Sequence, residues 1–256
     1  GFQQLFLRMA EELRSFGGRL HTGQSVRTLR PGDQPEVVTN RSGGQFERVV
    51  WTGSLPQLQR VLASPSEDLI RQTESIRYMA VTQLVLVLKR QQSNFYWLNN
   101  IDPDVTFGGL IEHTNMVSPD HYGGEHILYI VNYHEPGDSR FRGKRASEVL
   151  EHHAPSLKRV LPRFREEDIL RLHCIRDDYA SPLYDLGFAG RRPPYQGWVP
   201  GVDICGMAQV YPEDRNMSHG VRRARDYLST CYPEQTNGPR LRSEKTSPNE
   251  TVCEAA

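Results

Sequence analysis

The stretch VDICGMAQVYPEDRNMSHG, residues 202–220, decides the fold class of this chain. Its first residues form a short apolar run that ends in Gly206, which predicts a buried strand followed by a turn. Beyond the turn, apolar residues recur at the spacing of one helix face, at Met217, Val221, Ala224 and Leu228. A strand, a loop and a helix in this order indicate an α/β unit.

The start of this helix is a candidate binding position. The first turn of a helix has backbone N–H groups without internal partners and lies at the positive end of the helix dipole, so it attracts an anionic or electron-rich group. Asp214 and Asn216 are both candidates to cap the helix, and Pro212 stiffens its entry. Strand-to-helix turns also serve packing alone, so the pattern by itself leaves both roles open.

Composition limits the class of protein. The chain has 256 residues, with 31 Lys and Arg against 31 Asp and Glu. Its net charge of zero therefore provides no electrostatic attraction to nucleic acid or to an anionic membrane. No apolar run approaches the roughly 20 residues of a membrane span, and the first residues lack a signal-peptide pattern. We therefore expect a soluble, cytoplasmic protein. The chain opens on Gly1 rather than Met, which indicates a fragment or a processed product.

The four cysteines are scattered without a Cys-x-x-Cys pair, which favours free thiols over disulfides or a zinc site. They are Cys174, Cys205, Cys231 and Cys253. The adjacent His152 and His153 point about 100° apart on a helix and do not readily share a metal ion. We therefore predict no metal site.

The first quarter of the chain predicts a helix and a set of strands. The helix covers residues 2–16 and ends at Gly17-Gly18. Short strands follow at 19–21, 26–29, 36–40 and 46–51, the last two forming a hairpin around Ser42-Gly43-Gly44. A helix then begins near Leu55, with Ser54 as its N-cap.

The middle of the chain predicts an antiparallel sheet. Residues 79–88 form a nearly continuous apolar run, typical of a strand covered on both faces. Further strands are predicted at 94–98, 105–112, 126–132 and 169–175. Helices at 145–153 and 156–161 are predicted to be interrupted by Pro155.

Several of these features together resemble a known superfamily. Gly206, the loop 211–214 and the helix after 216–218 are similar to the C-terminal cofactor segment of FAD-dependent amine oxidases, protoporphyrinogen oxidases and phytoene desaturases. Gly17-Gly18, Val26 and residues 49–56 follow the superfamily's middle section in the same order. One departure is that many members have Gly-Asp where this chain has Gly206-Met207, which leaves Asp214 as the alternative acidic contact.

The resemblance implies a fold class of α/β plus α+β: a partial, split, Rossmann-like FAD-binding domain with an inserted substrate domain on an antiparallel or mixed sheet. The implied boundaries are 1–72 for the middle part of the FAD-binding domain, 73–185 for the substrate domain, 186–232 for the last part of the FAD-binding domain and 233–256 for a disordered tail. The implied contacts to FAD are Val26, Thr52, Gly206, Met207, Asp214, Asn216, Met217 and Ser218.

The resemblance also implies the chemistry, which is hydride transfer from a C–N or C–C bond of a small-molecule substrate to the flavin. In such enzymes the protein binds and orients the cofactor, so a missing catalytic triad is no objection. Candidate catalytic residues are His113, since histidine is a common general acid or base, and Tyr184; Tyr179 and Tyr211 are candidates to line a cavity. Structural packing is an alternative role for each of them.

A Gly-x-Gly-x-x-Gly motif, which holds the cofactor diphosphate in this class, does not occur in the sequence. We therefore predict that a region upstream of Gly1 is needed for FAD binding. Two alternatives remain open. One is a non-redox flavoenzyme similar to UDP-galactopyranose mutase, favoured if Arg171 and Arg176 face the flavin. The other is a binding module that has lost the cofactor, which Met207 makes conceivable.

Overall fold

The computed structural model describes residues 2–236, which contain seven α-helices and ten strands. The helices are α1 (Phe2–Ser15), α2 (Leu55–Val61), α3 (Glu67–Glu74), α4 (Ala146–Val160), α5 (Phe188–Arg191), α6 (Met217–Cys231) and α7 (Pro233–Thr236). The strands are β1 (Val26–Arg30), β2 (Glu36–Thr39), β3 (Gly43–Gln45), β4 (Val49–Trp51), β5 (Tyr78–Leu88), β6 (Trp97–Asn99), β7 (Gly109–Glu112), β8 (His126–His134), β9 (Ile169–Pro182) and β10 (Val202–Ile204). None of the described helices is both long and apolar enough to cross a membrane.

The largest sheet is antiparallel and has the strand order β6-β7-β8-β5-β9. Alternate residues of the central strand β5 face opposite sides, and Leu84 and Leu86 on one side are fully buried against α4. Burial of each leucine contributes roughly 2 kcal/mol. Val81 and Val85 on the other side are only half-buried, so the prediction that this strand is covered on both faces was wrong.

A second, parallel sheet consists of β4 and β10. Val202 pairs with Val49 and Ile204 pairs with Trp51, so segments on either side of the large sheet in sequence lie next to each other in space. The turn into β10 needs Gly201, which has φ of +73° and whose added Cβ would lie 2.1 Å from the carbonyl oxygen of Gly32. The predicted strand before Gly206 is confirmed, and all its residues are buried.

The remaining sheet, β1-β2-β3, corrects the predicted hairpin. The turn lies at residues 40–42, where the hydroxyl of Thr39 accepts hydrogen bonds from the backbone N–H groups of Arg41 and Ser42. Gly43 and Gly44 therefore belong to β3 rather than to the turn, and β4 leaves this sheet to pair with β10. Residues 19–21, predicted as a strand, form no strand.

The helix α4 runs unbroken through Pro155, which corrects the predicted interruption. Proline removes one backbone hydrogen bond from a helix interior. Val149 and Leu150 before it and Leu157 after it are buried in the same core, and this shared burial keeps the two halves in one helix.

The apolar faces of α1 and α6 are exposed, although the helices themselves were predicted correctly. Met217, Val221 and Leu228 of α6 are 42–49% exposed, and the buried residue of this helix is Tyr227. On α1 the exposed residues include Leu5, Phe6, Met9 and Leu13. Periodicity predicts that a helix has an apolar face, whereas burial requires a second surface to cover it.

The end of the chain is partly described. Residues 233–236 form α7, so the predicted disorder is wrong for these four residues, and the remainder of the predicted tail lies outside the described residues. Cys174, Cys205 and Cys231 are free thiols, as predicted. Cys253 lies outside the described residues.

A buried histidine joins α4 to the large sheet. The side-chain amide of Asn132 donates to Nε2 of His153 at 2.9 Å, and the opposite ring nitrogen bonds to the hydroxyl of Thr106 at 2.9 Å. Both contacts suit a neutral ring with its proton on Nδ1. Burial, with further contributions from His152 and Arg140, lowers the pKa of His153 to about 4.

This histidine predicts a pH dependence of stability. Because its pKa is lower in the folded than in the unfolded chain, the neutral ring contributes stability that is complete above about pH 6.5 and is lost as the pH falls toward 4. We expect the free energy of unfolding, measured with urea from pH 7 to pH 4, to lose about 3 kcal/mol more in the wild type than in His153→Gln. The exposed His121→Gln is the control and should behave like the wild type. A difference between wild type and His153→Gln that does not change with pH would contradict this assignment.

Candidate functional site

The carboxyl ends of β4 and β10 meet and bring two predicted cofactor residues together. The backbone N–H of Cys205 donates to the carbonyl oxygen of Trp51 at 2.9 Å, which sets Gly206 beside Thr52. A Cβ added to Gly206 would lie 3.2 Å from the carbonyl oxygen of Gly53 and 3.4 Å from that of Thr52. Glycine therefore lets two backbone segments approach closely at the sheet edge where ligands bind in α/β folds.

The loop between β10 and α6 is supported by aromatic side chains. The hydroxyl of Tyr184 donates to the carbonyl oxygen of Met207 at 3.2 Å. The Tyr184 ring lies 4.7 Å from that of Phe188 and 5.2 Å from that of Tyr211. Burial, together with the charge of Asp214, raises the pKa of Tyr184. The proton of Tyr184 is thus held at this hydrogen bond at neutral pH.

The start of α6 offers unpaired donors. Asn216 is the N-cap, since its side chain accepts from the N–H of His219 at 2.9 Å, while Asp214 accepts instead from the N–H of Arg215. The N–H groups of Met217 and Ser218 precede the first internal helix bond and have no partner within the described residues. They are therefore free to donate to a ligand oxygen.

The position of α6 depends on a buried carboxylate. Asp203 in β10 is 1% exposed, and its Oδ2 accepts from Tyr227 at 2.8 Å, from Tyr232 at 2.7 Å and from Gln196 at 3.0 Å. Arg48 lies 3.3 Å from its Oδ1. Burial raises the pKa of Asp203, but the three hydrogen bonds and the arginine outweigh it and leave the pKa lowered. Asp203 thus ties β10 to the end of α6.

The uncovered face of the large sheet carries a cavity of about 380 Å³. Strands β5, β6, β7 and β8 supply most of its walls, and Arg215, next to the cap of α6, closes one side. The guanidinium of Arg215 donates to the hydroxyl of Tyr133 at 2.5 Å and lies 5.1 Å from the centre of the Tyr133 ring. The start of α6 and the open sheet face therefore meet at this contact.

Other predicted residues lie elsewhere. Val26 is half-buried at the start of β1, in a different sheet from Gly206. Nε2 of His113 bonds to the hydroxyl of Tyr122 at 2.7 Å, and its ring packs edge-on against Tyr129, on the same face of β8 as Tyr133 but roughly 13 Å along the strand. Tyr179 does not line this cavity. Its ring packs edge-on against Tyr78 instead.

The two arginines that would favour a mutase-like site form hydrogen bonds outside the cavity. Arg171 bonds to Glu125 with a distance of 3.0 Å between Nη1 and Oε1, and Arg176 donates to the carbonyl oxygen of Lys144 at 2.5 Å. Neither is among the residues that line the cavity.

Sequence reasoning missed Asp203, Arg215 and Tyr133. An acidic residue inside a short apolar run is an available signal for Asp203, because a buried carboxylate needs partners. Arg215 and Tyr133 are 82 residues apart, and no sequence pattern links them.

Together the parallel strand pair, the helix that starts beside it and the open antiparallel sheet define a mixed α/β protein with a candidate binding edge and an adjoining cavity. The sequence model of the flavin-containing amine oxidoreductases matches residues 1–237. The chain belongs to this family, which confirms the predicted resemblance. A comparison with curated proteins gives no match.

Solved structures of similar fold include a protein described as a protoporphyrinogen oxidase from Exiguobacterium sp. 255-15, with a TM-score of 0.71, 16% identity, and coverage of 92% of this chain and 51% of that one. A putrescine oxidase bound to putrescine has a TM-score of 0.62 and 16% identity, and the match covers 90% of this chain and 53% of that one. A reduced UDP-galactopyranose mutase has a TM-score of 0.62 and 11% identity, and the match covers 87% of this chain and 50% of that one. The chain therefore spans about half the length of these proteins.

Asp203 predicts a stability effect. We expect Asp203→Asn to lower the free energy of unfolding by about 3 kcal/mol at pH 7, because it removes a charge that three donors and Arg48 stabilise. The lowered pKa means that this contribution is complete above about pH 4 and fades as the pH falls through the folded pKa. Urea unfolding at pH 7 and at pH 3 measures both. Asp178→Asn, at an exposed position, should leave the free energy of unfolding nearly unchanged. An equal loss in both variants would show that the contacts of Asp203 do not stabilise the fold.

Gly206 predicts a packing effect. We expect Gly206→Ala to cost about 1–2 kcal/mol, because the new methyl group must push apart the backbones of residues 52–53 and 206. Gly220→Ala in α6 is the matched control, since its Cβ meets nothing within 4 Å and alanine favours a helix. Thermal unfolding followed by circular dichroism should separate the two variants; a Gly206→Ala protein as stable as the wild type would rule out close contact at this edge.

Proposed function

We propose that this chain is the C-terminal portion of an FAD-dependent oxidoreductase of the amine oxidase and protoporphyrinogen oxidase type. The observation that carries the proposal is the contact between Arg215 and Tyr133, which sets the free N–H groups of α6 beside a cavity on the open sheet. A cofactor held at the helix start would face a substrate held against the sheet.

The residues present are compatible with a flavin. Gly206 and Thr52 form a close backbone edge that a side chain at position 206 would fill. Met217 and Ser218 offer two N–H groups to a carbonyl oxygen, as the positive end of a helix favours. When bound, FAD supplies the hydride acceptor for a substrate C–N or C–C bond. Met207 contributes no carboxylate to the diphosphate region, and Asp214 is exposed and available there.

The protein groups bind and orient rather than react. Tyr184 holds the carbonyl of Met207, Asn216 caps α6, and Asp203 anchors the far end of α6, so the edge is built before any ligand arrives. His113 is a weaker catalytic candidate, because its Nε2 is already bonded to Tyr122. Val26 stays a proposed contact to the adenosine part.

We further propose that residues 1–72 and 186–232 belong to the FAD-binding domain and residues 73–185 to the substrate domain, and that a region upstream completes the cofactor site. The chain spans about half of the proteins it resembles. The exposed apolar faces of α1 and α6 and the two-stranded parallel sheet are what a fold lacking part of its α/β layer would leave.

The visible absorption spectrum tests the proposal. The protein made from its complete gene should pass through gel filtration with flavin bands, whereas the 256-residue chain should bind added FAD weakly. A colourless, folded product of the complete gene would contradict the proposed function. Tight, stoichiometric binding of FAD by the 256-residue chain would instead contradict the need for an upstream region.

A substitution that deletes one N–H tests the helix start. We expect Met217→Pro, in the complete protein, to raise the Kd for FAD about tenfold, because it removes one donor. The helix should persist, since proline is favoured at the first helical position and Asn216 is already extended. Flavin fluorescence titration gives the Kd. Glu67→Pro, at the same position of α3 after the extended Ser66, is the control. Equal Kd values in the two variants would rule out this contact.

A further inference from the structure

The cavity on the open sheet face is lined mainly by apolar and aromatic groups. Val81, Ile111 and Val131 form its floor, and Trp97 and Tyr133 stand at its edges with half of their surface exposed. Its volume of about 380 Å³ is in the range of small-molecule sites. Flat aromatic walls with an aliphatic floor suit a planar, apolar ligand.

Arg215 is the one charged residue among those that line this cavity. Its guanidinium bonds to the hydroxyl of Tyr133, and within residues 2–236 no carboxylate lies within 4 Å of it. Arginine keeps its charge at all physiological pH values and presents several donors in one plane. A guanidinium that has no carboxylate partner, at the rim of an apolar cavity, is a strong site for a carboxylate.

The neighbouring acidic groups do not change this balance. Asp177 lies opposite Val81 on β9, but its side chain accepts from the backbone N–H of Tyr179 at 2.8 Å. Asp214 accepts from the backbone N–H of Arg215 at 2.7 Å. Neither lines the cavity. One face of the Tyr133 ring already holds Arg215, so a cation–π contact of an amine with that face is blocked.

We propose that this site takes a planar, apolar carboxylate as its substrate and disfavours aliphatic amines and diamines. That this ligand is a substrate rests on the proposed function, whereas binding of the ligand requires no flavin. The ring system lies between Trp97 and Tyr133 over the aliphatic floor, and Arg215 binds the carboxylate. An ammonium group in the same place meets a like charge and finds no carboxylate among the lining residues. Arg215 is therefore the residue that determines charge specificity.

Three probes that share one ring and differ in charge test this. They are naphthoate, methylnaphthalene and naphthylmethylammonium, each titrated into the 256-residue chain labelled on its tryptophans. The chain has three tryptophans, and Trp97→Phe identifies the indole signal of Trp97. We expect naphthoate to shift that signal and to bind at least about tenfold more tightly than naphthylmethylammonium.

Variants of the rim assign the preference to Arg215. Arg215→Gln should reduce the affinity for naphthoate to that for methylnaphthalene, whereas Arg215→Lys should retain part of it. Tyr133→Phe, which keeps the ring and removes the hydroxyl that holds Arg215, should weaken naphthoate two- to fivefold. Arg225→Gln, on the exposed surface of α6, is the control and should match the wild type.

The inference fails if the ammonium probe binds as tightly as naphthoate, if Arg215→Gln leaves the preference unchanged, or if no probe shifts the Trp97 signal. These outcomes are independent of the flavin test. A complete protein that is colourless but keeps the charge preference would overturn the proposed function alone. A flavoprotein without the preference would overturn this inference alone.

Discussion

The carboxylate of Asp203 is the group on which the arrangement of the candidate site depends. It lies in the middle of a buried three-residue strand, and it is stable there only because hydroxyl, amide and guanidinium donors converge on it. Two of those donors come from the end of α6 and the residue that follows it. The strand at the candidate binding edge and the helix that offers free N–H groups are thereby held in one geometry. Loss of this anchor would move α6 relative to Gly206, although neither Gly206 nor the first turn of α6 would itself be altered.

The two faces of the large sheet differ in how they are covered. One face is closed by α4 and a core that includes Leu84, Phe107, Phe164 and Leu128. The other carries the cavity and contacts the start of α6 through Arg215 and Tyr133. A sheet that is covered on one face can be held in shape from that face while the other face stays accessible. The buried pair of His153 and Asn132 lies on the closed face. Protonation of His153 is therefore expected to change the free energy of unfolding and not the cavity.

Particular residues show why some local predictions held and others did not. Asn216 and Ser54 stand at helix starts as predicted, because capping depends on a few consecutive residues. Pro155 lies within a continuous helix because a core shared by residues on both sides outweighs one lost hydrogen bond. Gly43 and Gly44 suit a turn by composition, yet the side chain of Thr39 places the turn at residues 40–42, two residues earlier than predicted. The family resemblance drew attention to Gly206, which lies close to the backbone of Thr52, whereas it gave no prediction for Asp203, three residues earlier.

Local sequence patterns predicted α1, α2 and α6, most strands, the antiparallel character of the large sheet and the family to which the chain belongs, but not α3, α5 or α7. These follow from periodicity, caps and short motifs, which are properties of neighbouring residues. Only the tertiary structure decided that β4 pairs with β10, that the apolar faces of α1 and α6 are uncovered, and that Arg215 reaches Tyr133. Each of these depends on groups far apart in the chain, as with Arg48 and Asp203 at a separation of 155 residues. Charge, burial and ligand preference arise from such contacts, and a pattern along the chain does not encode which distant surfaces will meet.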